Sequence, residues 1–253
     1  MRRIDCIAKI RSKLASGVPT IGSWMQIPNA SVAEIMGHAG YDWISVDMEH
    51  GTIAHHQLPD LFRSIELGGA LPLVRLGGSG LSECKQALDA GAGGVIVPMI
   101  ETAEQLQKVV QACRWPPVGS RGVGFSRANL FGKYFADYAQ EAQAPLIIAM
   151  IEHIQAVESL DEILSVDGLD AILIGPYDLS ASLGVTGIFG DHKFLDAIEK
   201  IRVQCASHRI PCGVHVVEPD RQELQTRISE GYLFLAYSID AVFLRLGAEY
   251  SES

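Results

Sequence analysis

The feature that most constrains this chain is a repeat of texture. Short apolar runs rich in Val and Ile recur along it, each followed by a longer segment with helical periodicity. The runs are Ile21–Ile27, Trp43–Val46, Leu71–Val74, Gly94–Val97, Leu146–Ile151, Ala171–Ile174, Gly213–Val217 and Leu233–Tyr237. Helical spacing marks Leu58–Leu67, Glu83–Ala90, Thr102–Cys113, Ala156–Leu164, Phe194–Ser207 and Arg221–Glu230. Strands that are apolar throughout, alternating with amphipathic helices, predict a parallel sheet covered by helices. Eight such units in 253 residues fit a closed (β/α)8 TIM barrel, one domain over residues 1–253, better than an open doubly wound sheet. No GxGxxG follows the first run, so the dinucleotide fingerprint is missing. Glycines before the second, fourth and eighth runs (Gly40, Gly91, Gly231) suit helix C-caps that turn the chain into the next strand.

One connection breaks the rhythm. Trp115–Pro145, which includes WPPVGSRGVGFSRANLFGKY, is long for a linker and reads as an active-site lid or an oligomer contact. A formal charge of −10 argues against a nucleic-acid or anionic-membrane partner, either of which needs a basic face. An anionic substrate would have to find its positive charge in a pocket, from Arg, a metal or helix N-termini. The five cysteines (Cys6, Cys84, Cys113, Cys205, Cys212) are scattered without a CxxC and read as reduced, mostly buried thiols. With no signal-like start and no run long enough to span a bilayer, a cytoplasmic location is expected.

In a TIM barrel the chemistry sits at the C-terminal ends of the strands. Ionisable residues end the second run (Asp47, Glu49, His50), the third (Arg75), the fifth (Glu152, His153) and the sixth (Asp178). Glu152 and Asp178, on neighbouring strands, can share a hard divalent cation such as Mg2+ or Mn2+, with Co2+ as an alternative. Asp178 can equally be a helix N-cap before Leu179-Ser180-Ala181. Arg75 can hold a keto oxygen or carboxylate, or be a surface residue beside the turn Leu76-Gly77-Gly78-Ser79-Gly80, which could itself cradle a phosphate. His50, flanked by Glu49, suits a general base near neutral pH. Tyr177 opens a short helix whose exposed N–H groups can take a substrate carboxylate. His55 and His56 read as a solvated helix start, and His153 and His215 as residues near strand ends that could line the pocket. No GxSxG occurs and no Lys ends a strand, which counts against an acyl-enzyme or a Schiff base.

The segments Ala39-Gly40-Tyr41-Asp42-Trp43, Asp47-Met48-Glu49-His50-Gly51, Val95–Glu104, Arg121-Gly122-Val123-Gly124 and Ile174–Gly184 resemble the HpcH/HpaI aldolases. These class II pyruvate aldolases include 4-hydroxy-2-oxoheptanedioate and 2-keto-3-deoxysugar-acid aldolases. The likeness runs from about Gly22 to about Leu246, and the IGPxDLSASLG and DxEHG stretches carry most of its weight. It implies Glu152 and Asp178 as metal ligands, Arg75 on the keto oxygen of pyruvate, and His50 in proton transfer assisted by Asp89. It also implies a homotrimer or homohexamer. One departure stands out: family members often carry Gln two residues before the metal glutamate, where this chain has Met150, so the hydrogen bonding around the metal and the substrate preference can differ.

The expected reaction is reversible retro-aldol cleavage of a 4-hydroxy-2-oxoacid to pyruvate and an aldehyde. Oxaloacetate decarboxylation would use the same enolate chemistry. A barrel that binds a keto acid without turning it over would lack a catalytic group, yet His50, Arg75, Glu152 and Asp178 are all present.

Overall fold

A computed structural model describes residues 2–78 and 80–250. Met1, Ser79 and residues 251–253 lie outside that description, and with them the centre of the glycine-rich turn after Arg75. The chain runs α1 (Arg3–Ala15), β1 (Thr20–Met25), α2 (Ala30–His38), β2 (Trp43–Asp47), α3 (Leu58–Gly68), β3 (Leu71–Arg75), α4 (Leu81–Ala90), β4 (Gly94–Val97) and α5 (Ala103–Cys113). It continues α6 (Phe135–Glu141), β5 (Leu146–Ile151), α7 (Ile154–Glu158), α8 (Leu160–Leu164), β6 (Ala171–Ile174), α9 (Pro176–Ser182), α10 (His192–His208), β7 (Cys212–Val216), α11 (Arg221–Ser229), β8 (Phe234–Ile239) and α12 (Asp240–Ala248). All eight strands pair in parallel, each with its neighbours in sequence, and β8 closes on β1. This is the (β/α)8 barrel that the alternating runs predict.

The two faces of each strand serve two cores. Outward residues such as Ile44, Val46, Val95, Ile147 and Ile172 pack beneath the helices. Inward residues fill the barrel itself: Trp24, Trp43, Leu73, Ile96, Ile148, Met150, Leu173 and Phe234. Trp43 stacks on Phe234 at a centroid separation of 4.4 Å. Gly22 makes room for this pair, because a Cβ there would lie 2.0 Å from the Trp43 indole. Burying each of these large rings contributes roughly 4–6 kcal/mol by apolar area. Helix α1, which the run pattern did not reveal, closes the N-terminal end of the barrel with Ile7, Ile10 and Leu14 against the same interior core.

Two expectations are corrected. The helical segment Ala156–Leu164 is two short helices, broken at Ser159, which caps one and opens the other. The Trp115–Pro145 connection follows a helix and enters β5, so it lies at the N-terminal end of the barrel and cannot cover a site at the C-terminal end of its own chain. There it buttresses α1. Arg3 pairs with Glu141 and donates to the Ala128 carbonyl (2.8 Å), and Arg127 pairs with Glu66 and donates to the Ala90 carbonyl (3.1 Å). Among the described residues no helix is long and apolar enough to cross a membrane.

Candidate active site

The site is built outward from Asp47. This residue ends β2 on its inward side, fully buried, directly across from Arg75 on β3. Arg75 donates from Nε to Asp47 Oδ1 (2.8 Å) and from Nη2 to Oδ2 (2.6 Å), and its guanidinium lies 4.5 Å from the centre of the Trp24 ring. The Gln26 side-chain amide donates to Asp47 Oδ2 (2.9 Å), while the backbone N–H groups of Glu49 and His50 reach Oδ1 at 3.1 and 3.3 Å. Burial opposes the charge on Asp47, but the Arg75 guanidinium and the Gln26 amide outweigh it and hold the carboxyl below the ordinary carboxylate range. Arg75 is thereby fixed in position, with Nη1 3.2 Å from Glu49. His50 stands more exposed at the rim, its Nε2 3.9 Å from the Glu49 carboxylate.

Across the mouth, Glu152 follows β5 and is almost wholly buried. Its Oε1 accepts the backbone N–H of Met99 at 2.6 Å, and Met99 takes up a left-handed backbone (φ 52°) in the loop that presents that donor. The other oxygen faces Gly175, where a Cβ would come within 2.4 Å of it. Burial pushes the Glu152 carboxyl up to about 7, the nearby Glu49 and Asp178 push the same way, and the Met99 N–H opposes them. Burial also raises Glu49. A carboxylate destabilised in this way, with an oxygen to spare, is poised to accept a cation.

Asp178 sits in the first turn of α9, where Gly175, not Asp178, is the N-cap residue. Among the described residues the Asp178 carboxylate takes no hydrogen bond, so the capping alternative is not realised. Both acids therefore offer oxygens, a donor set that fits a hard divalent ion. Among the described residues no three or more His, Cys, Asp or Glu side chains form a ready-made metal cage.

The cavity between these walls measures about 370 Å3 and is lined by Trp24, Gln26, His50, Arg75, Met150, Leu173, Gly175, Tyr177, Asp178, His215, Val217 and Ile239 among others. Two larger depressions, about 770 and 670 Å3, lie around α1 at the opposite end, where barrels carry stability rather than chemistry. Tyr177 stands at the rim with its ring edge-on to Phe189 (5.1 Å).

The structure brings together His50, Arg75, Tyr177 and Asp178 around one cavity and sets Glu152 behind Gly175 at its edge. It does not bring Asp89 to them. Asp89 ends α4 at the N-terminal end of the barrel, 4.0 Å from Arg121, so the expected pairing with His50 is not made within the chain. His153 turns away as well, its Nδ1 capping α7. Two positioning residues escaped the sequence reading. Met99 works through its backbone, which leaves no mark in residue type. Asp240 accepts the N–H groups of Gln26 (2.8 Å), Ile27 (2.9 Å) and Ala241 (2.7 Å), tying the end of β1 to α12; a charged residue just past the eighth run was the available signal.

Fold and mouth together define a (β/α)8-barrel enzyme with a carboxylate-lined site. The sequence model of the HpcH/HpaI aldolase/citrate lyase family matches residues 20–245. A 4-hydroxy-2-oxovalerate aldolase of Novosphingobium aromaticivorans is 35% identical, over 96% of this chain and 92% of its own length. A hydroxypyruvate/pyruvate aldolase of Roseobacter denitrificans is also 35% identical, over 92% of this chain and 91% of its own. Among solved structures, an HpcH/HpaI aldolase/citrate lyase family protein from Burkholderia cenocepacia superposes with a TM-score of 0.88 at 30% identity, covering 94% of this chain and 95% of that one. The chain belongs to the HpcH/HpaI aldolase/citrate lyase family, and it is a carbon–carbon lyase.

Proposed function

We propose that the protein catalyses reversible retro-aldol cleavage of a 4-hydroxy-2-oxoacid to pyruvate and an aldehyde, with a divalent cation held by Glu152 and Asp178. Mg2+ or Mn2+ suits the two carboxylates, and Co2+ is the alternative. The observation that carries the reading is a pair of acids with oxygens to spare, Asp178 in the cavity lining and Glu152 behind Gly175 at its edge, across from an immobilised arginine. The aldolase names of the relatives support it.

Bound there, the cation supplies Lewis acidity toward the carboxylate and keto oxygens of a 2-oxoacid. Arg75, locked by Asp47, points its charge at the keto oxygen and stabilises the negative charge that collects there as the C3–C4 bond breaks. His50 takes the proton of the C4 hydroxyl, so that C4 leaves as the aldehyde carbonyl and the bond's electrons pass to the enolate. The enolate then gains a proton at C3 to become pyruvate. In the addition direction His50 returns its proton to the new hydroxyl. The backbone N–H groups of Tyr177 and Asp178 add donors for the substrate carboxylate. Within one chain Asp89 does not reach His50. Assembly as a homotrimer or homohexamer accompanies this reading.

The deciding experiment measures pyruvate release from a panel of 4-hydroxy-2-oxoacids with added Mg2+, Mn2+ or Co2+ and with a chelator. Metal-dependent release is expected. Turnover of oxaloacetate above every hydroxy-oxoacid would reassign the site to decarboxylation.

A further inference from the structure

The cavity has one wall that the handling of the oxoacid does not use. Around the barrel, Arg75, Glu152 and Asp178 occupy the sides formed by β3, β5 and β6. The remaining arc, from β7 through β8 to β1, presents His215, Ile239 and Trp24. Gln26, just past β1, spends its amide N–H on Asp47, and the other polar side chain of that arc is His215, whose ring packs edge-on against Trp24 (5.9 Å between ring centres), the indole on which Arg75 lies. Its Nε2 is buried and meets no hydrogen-bond partner among the described residues. A buried polar nitrogen left unpaired is destabilising, so the position calls for a partner that enters the cavity. Burial, against a hydrogen bond to the Ser238 backbone, pushes the ring down to about 4, and it stays neutral through the physiological range. A neutral imidazole can exchange one hydrogen bond with an uncharged group but brings no charge to a second carboxylate. Arg75, paired with Asp47 and Glu49, is already committed to the keto oxygen of the pyruvate half and does not serve the aldehyde half.

We propose that His215 hydrogen-bonds a hydroxyl on the aldehyde half of the substrate, making an uncharged hydroxyaldehyde the preferred partner of pyruvate. The inference rests on the aldolase reading and names the substrate class that the reading leaves open. An aldehyde without the hydroxyl would leave the imidazole nitrogen dry, and one with a carboxylate would meet no free cation on this wall.

The test is the kcat/KM for addition of pyruvate to glycolaldehyde, acetaldehyde and glyoxylate, with Mn2+, in the wild type and in His215→Leu and His215→Gln. Wild-type enzyme should favour glycolaldehyde over acetaldehyde by about 10-fold, the worth of one good hydrogen bond, and should disfavour glyoxylate. His215→Leu should pull the glycolaldehyde-to-acetaldehyde ratio toward one, and His215→Gln should restore part of it. A wild-type preference for acetaldehyde or glyoxylate overturns the proposal without recourse to any variant, as does a Leu variant whose ratio is unchanged. Exchange of the pyruvate C3 protons with solvent deuterium reads the aldolase site separately. Exchange without a hydroxyl preference sinks the role of His215 alone, whereas no exchange with any metal sinks the aldolase reading and this inference with it.

Discussion

Glu152 concentrates the electrostatic tension of the site. Its folded-state value is raised from 4.5 to about 7, so across that window the folded chain keeps a proton that the unfolded chain has released. The group's contribution to stability therefore falls as pH rises from about 4.5 to about 7, by up to about 3 kcal/mol. A bound cation reverses the cost. Thermal melts should show a larger Mn2+-induced rise in Tm at pH 8 than at pH 6, and equal rises at both would remove Glu152 from the metal. Glu152→Ala should abolish both that rise and pyruvate C3 proton exchange; full exchange in this variant would end the assignment. At Arg75, a lysine keeps the charge but cannot engage both oxygens of buried Asp47. Arg75→Lys should cost roughly 2 kcal/mol in urea titrations and about 100-fold in kcat/KM.

At the scale of elements, the junction of β6 and α9 is where two strand ends meet. Gly175 lets the Glu152 carboxylate lie against the backbone that leads to Asp178. Gly175→Ala places a methyl 2.4 Å from Glu152 Oε2, so the carboxylate has to move. The expected result is metal affinity weakened at least about 10-fold in calorimetric titration, with the far-ultraviolet circular dichroism of the wild type. The strand endings themselves were readable in advance. An apolar run stopping at Asp, Glu or Arg marks the rim, because interior positions of a barrel tolerate charge only where solvent or a ligand enters. Helix α1 was not readable in that way, since it belongs to no strand–helix unit and its role comes from plugging an end that only exists once the barrel closes.

For the whole molecule, the Trp115–Pro145 connection carries exposed Phe125, Leu130, Phe131 and Tyr134 at the end remote from the site. An apolar surface of this kind suits contact between copies of the chain. Sedimentation equilibrium should return three or six times the 27.4 kDa chain mass, and Phe125→Asp with Phe131→Asp should lower it. A wild-type monomer would contradict the expected assembly.

The sequence by itself determined the parallel barrel and singled out Arg75, Glu152, Asp178 and His50 at its C-terminal rim as candidates, because period and strand-end charge are local properties of the chain. It also carried the likeness to the family. Only the tertiary structure decided which of those charges neutralise one another. Asp47 was legible as a strand-end acid, but its grip on Arg75 depends on the β2–β3 register. Asp89 looked like a partner for His50 and lies at the other end of the barrel, since a helix returns the chain from the rim to the base within its own length. The proposed metal pair shows the division. Two acids at neighbouring strand ends can be read from order alone, whereas the cost of charging Glu152, and hence its readiness for a cation, arises from its burial and from Glu49 and Asp178, against the Met99 N–H, groups that sequence distance keeps apart and the closed sheet brings together.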